Sequence, residues 1–329
     1  GELSAINAVA GSMAENVPVI KIVGTPSSNF IKNKILLHHN LDNADYHAFE
    51  KAYSNVVETT AFLTKENAKE EIKRILNVMV KTKKPVYVAI PMDVAVEEVE
   101  DDFEILKVKS DLKNLTEAVD LIIKKIKASK QPVIVGDVLI NRFRAKEEYL
   151  DFLNKTNIPS ATLLRGMDLY TDKNYLGVYV SKTNNEMCYD YVNSSDCIIL
   201  AGTVLSDLNT SNFNYKFKKQ DCIDIQPNKV IIGQKVFENI LIKDVFERLN
   251  QKIQFKFDKT LKEFEGYKKT ELLKEEPLKI DYFYEQIEKF IKENDILITE
   301  VGLVPHGVIP MKLPKNVTVQ NQMLWGSIG

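Results

Sequence analysis

Two adjacent histidines, His38 and His39, stand in the stretch Leu36-Leu37-His38-His39-Asn40-Leu41 of a chain that has only four histidines. Imidazole is the side chain whose charge changes near neutral pH, so such a pair suits proton transfer. The pair comes soon after a strand-like apolar run, and in extended backbone neighbouring side chains point to opposite faces. Spacing alone therefore leaves two readings open: proton chemistry at one or both rings, or a structural histidine satisfied by its surroundings. The three cysteines, Cys188, Cys197 and Cys222, have neither CxxC spacing nor an even count. They read as free thiols in a reducing cytoplasm, with Cys197 a small core residue inside an apolar strand pattern.

The elements that must position these residues alternate between strand and helix, the pattern of Rossmann-like α/β sheets with parallel strands flanked by helices. Residues 3–14 have helical character, and residues 18–23 read as a short buried strand ending at Gly24-Thr25-Pro26. Residues 66–80 carry Ala68, Ile72, Ile75, Leu76 and Met79 at helical spacing, with Thr64 as the cap. Residues 85–90 read as a central strand. Beyond an acidic stretch around residues 97–102, helices are expected at 115–126, 145–153 and 240–249, and strands at 132–135, 197–201 and 222–225. A lysine- and glutamate-rich stretch over 256–276, helical in part, precedes a helix at 282–291 and a strand at 296–298.

Composition bounds the function. At 329 residues, 44% hydrophobic and 27% charged, the chain can bury more than one core. A net charge of −2 offers no broad attraction for nucleic acid or anionic lipid. No apolar run reaches the roughly 18 residues of a membrane span, and no secretory pattern precedes an apolar core, so a cytoplasmic protein is expected.

Several separated blocks carry a more specific signal. They are Gly1-Glu2-Leu3-Ser4-Ala5, Ala10-Gly11-Ser12, the histidine pair, Glu58-Thr59-Thr60-Ala61, and Lys84-Pro85-Val86-Tyr87 through Pro91-Met92-Asp93. Val138-Leu139-Ile140-Asn141-Arg142-Phe143, Gly202-Thr203-Val204-Leu205-Ser206-Asp207-Leu208-Asn209-Thr210 and Leu324-Trp325-Gly326-Ser327-Ile328-Gly329 follow in order. Together they resemble the thiamine-diphosphate-dependent 2-oxoacid decarboxylases, the family of pyruvate, indolepyruvate and branched-chain 2-oxoacid decarboxylases. The resemblance implies a multi-domain architecture: a pyrimidine-binding domain over residues 1–105, a central domain over 106–265, and the start of a diphosphate-binding domain over 276–329. It also implies a fragment, with part of the first domain and most of the cofactor domain lying outside this chain.

That likeness implies a carboxy-lyase converting a 2-oxoacid substrate to an aldehyde and CO2 with thiamine diphosphate and Mg²⁺. His38 and His39 match the family's proton-transferring pair. Gly326 matches the glycine whose carbonyl accepts from the cofactor's amino group, and Ile328 the bulky residue beneath the cofactor. Gly302, in Glu300-Val301-Gly302-Leu303, falls near the expected diphosphate, although Leu303 and Val304 stand where polar residues are usual. Glu2 is not the family's ring-activating glutamate, and a helix N-terminal charge is the simpler account of it. The Mg²⁺ ligands, including a Gly-Asp-Gly motif absent here, fall outside the chain, so no metal ligand is assigned. Self-association as a homodimer or homotetramer follows from the family's shared site. The central domain, lacking a GxGxxG after a strand, reads as structural rather than dinucleotide-binding. An acetolactate-synthase-like carboligase and a non-catalytic fragment are the alternatives. Phe30, Tyr46 and Phe213 are aromatics that either line a site or belong to the core.

Overall fold

The computed structural model describes residues 2–99, 104–105, 107–171, 173–269 and 277–326. It divides into two compact units, one running to Val108 and the other from Lys109 to Gly326.

In the first unit, β1 (Ile20–Thr25), β2 (Thr59–Phe62) and β3 (Val86–Pro91) form a parallel sheet in the order β1-β3-β2. The central strand has the near-continuous apolar run that two covered faces demand. Its alternate residues go to opposite layers: Val86 and Val88 pack with Ala68 and Ile75 of α4 (Ala68–Thr82). Tyr87 and Ala89 pack with Val9 of α1 (Ile6–Ala14) and Tyr53 of α3 (Ala48–Tyr53). A five-residue helix, α2 (Ser28–Lys32), follows β1, and the Asp93 carboxylate beyond β3 accepts from Ser28 N at 2.8 Å. That bond holds the Asp93 carboxyl below the usual carboxylate range. The N-cap of α4 is Asn67 rather than the expected Thr64; the two residues are joined in the turn before the helix, the Thr64 hydroxyl accepting from Asn67 N while Asn67 Oδ1 accepts from Thr64 N.

One expectation changes here. The strand placed at 18–23 is an edge strand rather than a buried one, with Ile22 61% exposed. Only the residues facing β3's helical layers, such as Ile20 and Val23, are drawn into cores.

The second unit opens with α5 (Leu112–Ala128), N-capped by Asp111, whose carboxylate accepts from Asn114 N at 2.9 Å. The main sheet comprises β4 (Pro132–Gly136), β5 (Ser160–Thr162), β6 (Tyr175–Val178), β7 (Cys197–Ala201), β8 (Ile223–Gln226), β9 (Lys229–Ile232) and β10 (Lys235–Glu238). Their order is β10-β9-β8-β7-β4-β5-β6. The chain winds outward from β4 to β6 and then returns to the other side of β4, the reversal that defines a doubly wound sheet. On β7, Cys197, Ile199 and Ala201 enter one core while Ile198 and Leu200 enter the other. Helices α5, α7 (Lys146–Thr156) and α9 (Ile242–Lys252) supply the first layer, and α8 (Glu186–Ser194) the second. The short α6 (Leu139–Arg142) follows β4.

The expected parallel sheet holds from β6 to β8, but β9 and β10 run antiparallel on the far edge. The reason is local. Pro227-Asn228 and Gly233-Gln234 are two-residue connections, and only a hairpin can be joined so briefly. Gly233 sits at φ +63, the left-handed backbone such a turn requires.

Further along, α10 (Ile280–Phe290), β11 (Ile296–Thr299), α11 (Val304–Val308) and β12 (Thr318–Asn321) build a small parallel pair with its own packing. Their core residues, including Tyr284, Val308, Met311 and Val319, share one cluster with Leu164, Met167 and Val178. No helix lies over residues 253–269, and the rest of the expected partly helical stretch, residues 270–276, falls outside the described residues.

Candidate active site

A cleft of about 690 Å³ runs along β1 and past its carboxyl end, lined among others by Glu2, Lys21, Gly24, His38, His39 and Tyr46. The segment before the histidines is not a strand. Residues 35–41 form an irregular, largely exposed loop, because Leu36 and Leu41 have no sheet to pair with and stay on the surface.

That loop alters the expected geometry of the pair. His39 has φ +60, a left-handed backbone that turns successive side chains away from the alternation of a strand. The two imidazoles consequently face each other, with ring centroids 4.7 Å apart and planes inclined by 55°. Asp42 at φ 60 and Ala44 at φ 50 share the strained conformation, as does Lys34 at φ 51. For a residue with a Cβ this region costs on the order of 1–2 kcal/mol, so hydrogen bonds elsewhere must hold it.

Glu2 has a role that sequence reasoning missed. Its Oε1 accepts from the Tyr87 hydroxyl at 2.6 Å, and its backbone carbonyl accepts from the Tyr53 hydroxyl at 2.8 Å. Burial, then the hydrogen bond to Glu2, pushes the Tyr87 phenol well above its ordinary value, so it remains a neutral donor. The carboxylate at the cleft wall is thus fixed by the central strand. The partners lie 85 residues apart, and no local pattern announces such a bond. Close by, Glu50 accepts from Thr60 at 2.9 Å and meets His47 Nδ1 at 2.8 Å. His47 also lies 4.3 Å from the Phe62 ring, and this anchored histidine is the structural kind.

Of the three open aromatics, Tyr46 lines the cleft, whereas Phe30 and Phe213 are exposed and belong to neither the cleft nor a core.

In the second unit, Gly302 follows β11 at φ +149 and Gly326 lies at φ +54; at neither does any described atom stand within 4 Å of a would-be Cβ. Both positions therefore leave backbone open to a ligand, which fits the close approach that a cofactor needs. Ile328 lies outside the described residues. No group of three or more His, Cys, Asp or Glu side chains suited to a metal occurs among the described residues. The described residues therefore offer no ligand set that fits magnesium.

The crevice between β4 and β7, where a doubly wound sheet ordinarily takes its ligand, is filled by the protein itself. Asp137 Oδ2 accepts from Val204 N and from Asn209 Nδ2, each at 2.8 Å, and Asn209 Oδ1 accepts from Arg165 N at 3.2 Å. A Cβ on Gly202, at φ +60, would stand 2.8 Å from Ile140 N. Such packing fits a structural central domain. Burial raises the Asp137 carboxyl to about 6 in spite of the Arg165 guanidinium beside it. The three cysteines are free and buried, and burial pushes Cys197 to about 11 and Cys222 to about 12, so neither is a thiolate nucleophile at neutral pH.

Comparison with known proteins gives one consistent likeness. Residues 119–251 match the family described as thiamine pyrophosphate enzyme, central domain. The whole chain aligns with pyruvate decarboxylases: it is 31% identical to that of Candida glabrata, 30% to that of Kluyveromyces lactis and 30% to isozyme 1 of Saccharomyces cerevisiae. Each alignment covers 100% of this chain and 60% of the relative's length. The chain is therefore similar along its whole length to pyruvate decarboxylases. It spans about 60% of the proteins it matches. Among the described residues, no helix is long and apolar enough to cross a membrane.

Proposed function

We propose that the complete protein carrying this chain decarboxylates a 2-oxoacid of the pyruvate, indolepyruvate or branched-chain type to an aldehyde, using thiamine diphosphate and Mg²⁺. The observation that carries this reading is the adjacent pair His38 and His39, rings 4.7 Å apart, on a cleft beside β1, in a chain similar throughout its length to pyruvate decarboxylases.

When bound, thiamine diphosphate supplies the nucleophilic carbon and the electron sink that let CO2 depart. What this chain adds is proton handling and orientation. In this reading an imidazole ring nitrogen of His38 or His39 passes a proton to, or takes one from, the reacting oxygen or carbon as the product forms. By the likeness to the family, the Gly326 carbonyl would accept a hydrogen bond from the cofactor, Gly302 would lie near its diphosphate, and Ile328 would give it an apolar support. Glu2, held by Tyr87, places a carboxyl on the cleft wall.

The working unit in this proposal is a homodimer or homotetramer in the cytoplasm, and the chain divides into a pyrimidine-binding domain, a central domain and the start of a diphosphate-binding domain. The parallel strand pair β11 and β12 supports the start of a third sheet, whose core residues pack with Leu164, Met167 and Val178 of the central domain.

The test is an assay of the complete protein with thiamine diphosphate and Mg²⁺ against pyruvate, indolepyruvate and a branched-chain 2-oxoacid. Stoichiometric aldehyde and CO2 are expected from at least one of them. Formation of an acetohydroxyacid in place of aldehyde, or no turnover of any of the three, contradicts the reading.

A further inference from the structure

We propose that the Tyr46 hydroxyl and the Asn40 carboxamide are positioning groups that hold the His38 and His39 rings together at the cleft, 4.7 Å apart; this rests on the role proposed for the pair and deepens it. The loop bearing the two imidazoles takes up left-handed backbone at Lys34, His39, Asp42 and Ala44, none of them glycine. Backbone of that kind persists only where its surroundings over-determine it, and here the restraints can be named.

The Tyr46 hydroxyl donates to the Ile35 carbonyl at 2.6 Å, drawing together residues 11 apart and closing the loop at its base. Asn40, the residue after the pair, accepts at Oδ1 from Asn43 N at 3.2 Å and from Ala44 N at 2.9 Å. Those two bonds fix the turn through which the chain leaves His39. The Asp45 carboxylate completes the fastening, accepting from His47 N at 3.0 Å and meeting Lys51 of α3 at 2.9 Å. The Tyr46 hydroxyl is engaged with backbone, so its effect reaches the reaction through the imidazoles, and Tyr46 is a positioning residue.

The titratable groups sharing this cleft with the histidines are Glu2, Lys21, Asp45 and Tyr46. A substitution that tests geometry must therefore leave charge alone, and Tyr46→Phe and Asn40→Ala both do so near neutral pH. In the complete protein, labelled with ¹⁵N-histidine, the two ring resonances are assigned by His38→Gln and His39→Gln, and His306, on the second unit, serves as internal control. A strap that only stabilises the fold would lower the melting temperature and leave ring titrations where they were. The positioning role instead predicts that the midpoint of His38 or His39 moves by about half a pH unit in either variant while that of His306 stays. It also predicts that kcat falls about tenfold with little change in KM.

Two variants guard against one that fails to fold. If both ring midpoints stay within about 0.1 pH unit in the folded variants, the positioning role is overturned whatever happens to turnover. If the midpoints move and kcat holds, the positioning role stands and the catalytic role of the pair fails.

Discussion

The two larger sheets of this protein are both built largely from parallel strands and covering helices, yet they use their residues differently. In the second unit β4 and β7 are buried along their whole length, and the carboxyl ends where a ligand would enter are stitched shut by Asp137, Asn209 and the close approach at Gly202. In the first unit the sheet is three strands wide, β1 lies on its edge, and the carboxyl end of β1 opens on a cleft beside a strained loop. The contrast teaches where chemistry is affordable. A densely packed sheet has no room for a substrate, whereas a loop held by a few hydrogen bonds beside a stable strand can present side chains to one.

The comparison breaks most readily at Phe246, which is fully buried and sits edge-on to Tyr149 and Phe152 in the core of the second unit. Phe246→Ala is expected to cost about 3–5 kcal/mol in urea unfolding; a loss below about 1 kcal/mol would mean the second core is far looser than described.

A smaller effect is expected from the stitched crevice as pH changes. Burial disfavours the charged form of Asp137 and raises its carboxyl to about 6, above the ordinary aspartate value of about 3.9. The folded state then binds the extra proton between those values. Its contribution, about 3 kcal/mol at most, is present in full below about pH 4 and is lost as pH rises through about 6. Asp137→Asn should remove that component, so the melting temperature of the wild type should fall relative to the variant between pH 4 and 7. Parallel curves for the two proteins would place the Asp137 carboxyl in water.

The smallest effect belongs to the open edge. Ile22→Ser, at a position 61% exposed, should change stability by no more than about 0.5 kcal/mol. A cost of 2 kcal/mol or more, on the scale of a buried aliphatic side chain, would show that something covers β1.

How far the sequence announced this can be judged element by element. Strands β4 and β7 were legible because each is a short, unbroken apolar run, and α4 because Ala68, Ile72, Ile75 and Met79 repeat at helical spacing. The hairpin of β9 and β10 was not, since four-residue strands carry too little alternation to stand out beside a lysine-rich surface. The edge position of β1 was invisible for another reason: Ile20, Ile22 and Val23 look equally apolar, and only the order of strands decides which of them faces a helix. At the site, the histidines were picked out by the likeness of their surroundings rather than by spacing. Their tilted contact goes with a left-handed φ at His39, which histidine as a residue type does not announce. The bond from Tyr87 to Glu2 joins residues that only the folded sheet brings together.

The central claim is that the paired imidazoles on the cleft move protons in the decarboxylation of a 2-oxoacid. The measurement that meets it most directly is steady-state aldehyde formation by the complete protein and its His38→Ala variant, with urea unfolding of both in parallel. Turnover is expected to fall by about 100-fold or more with stability changed by less than about 0.5 kcal/mol. A variant that turns over at the parent rate would take His38 out of the mechanism and contradict the account.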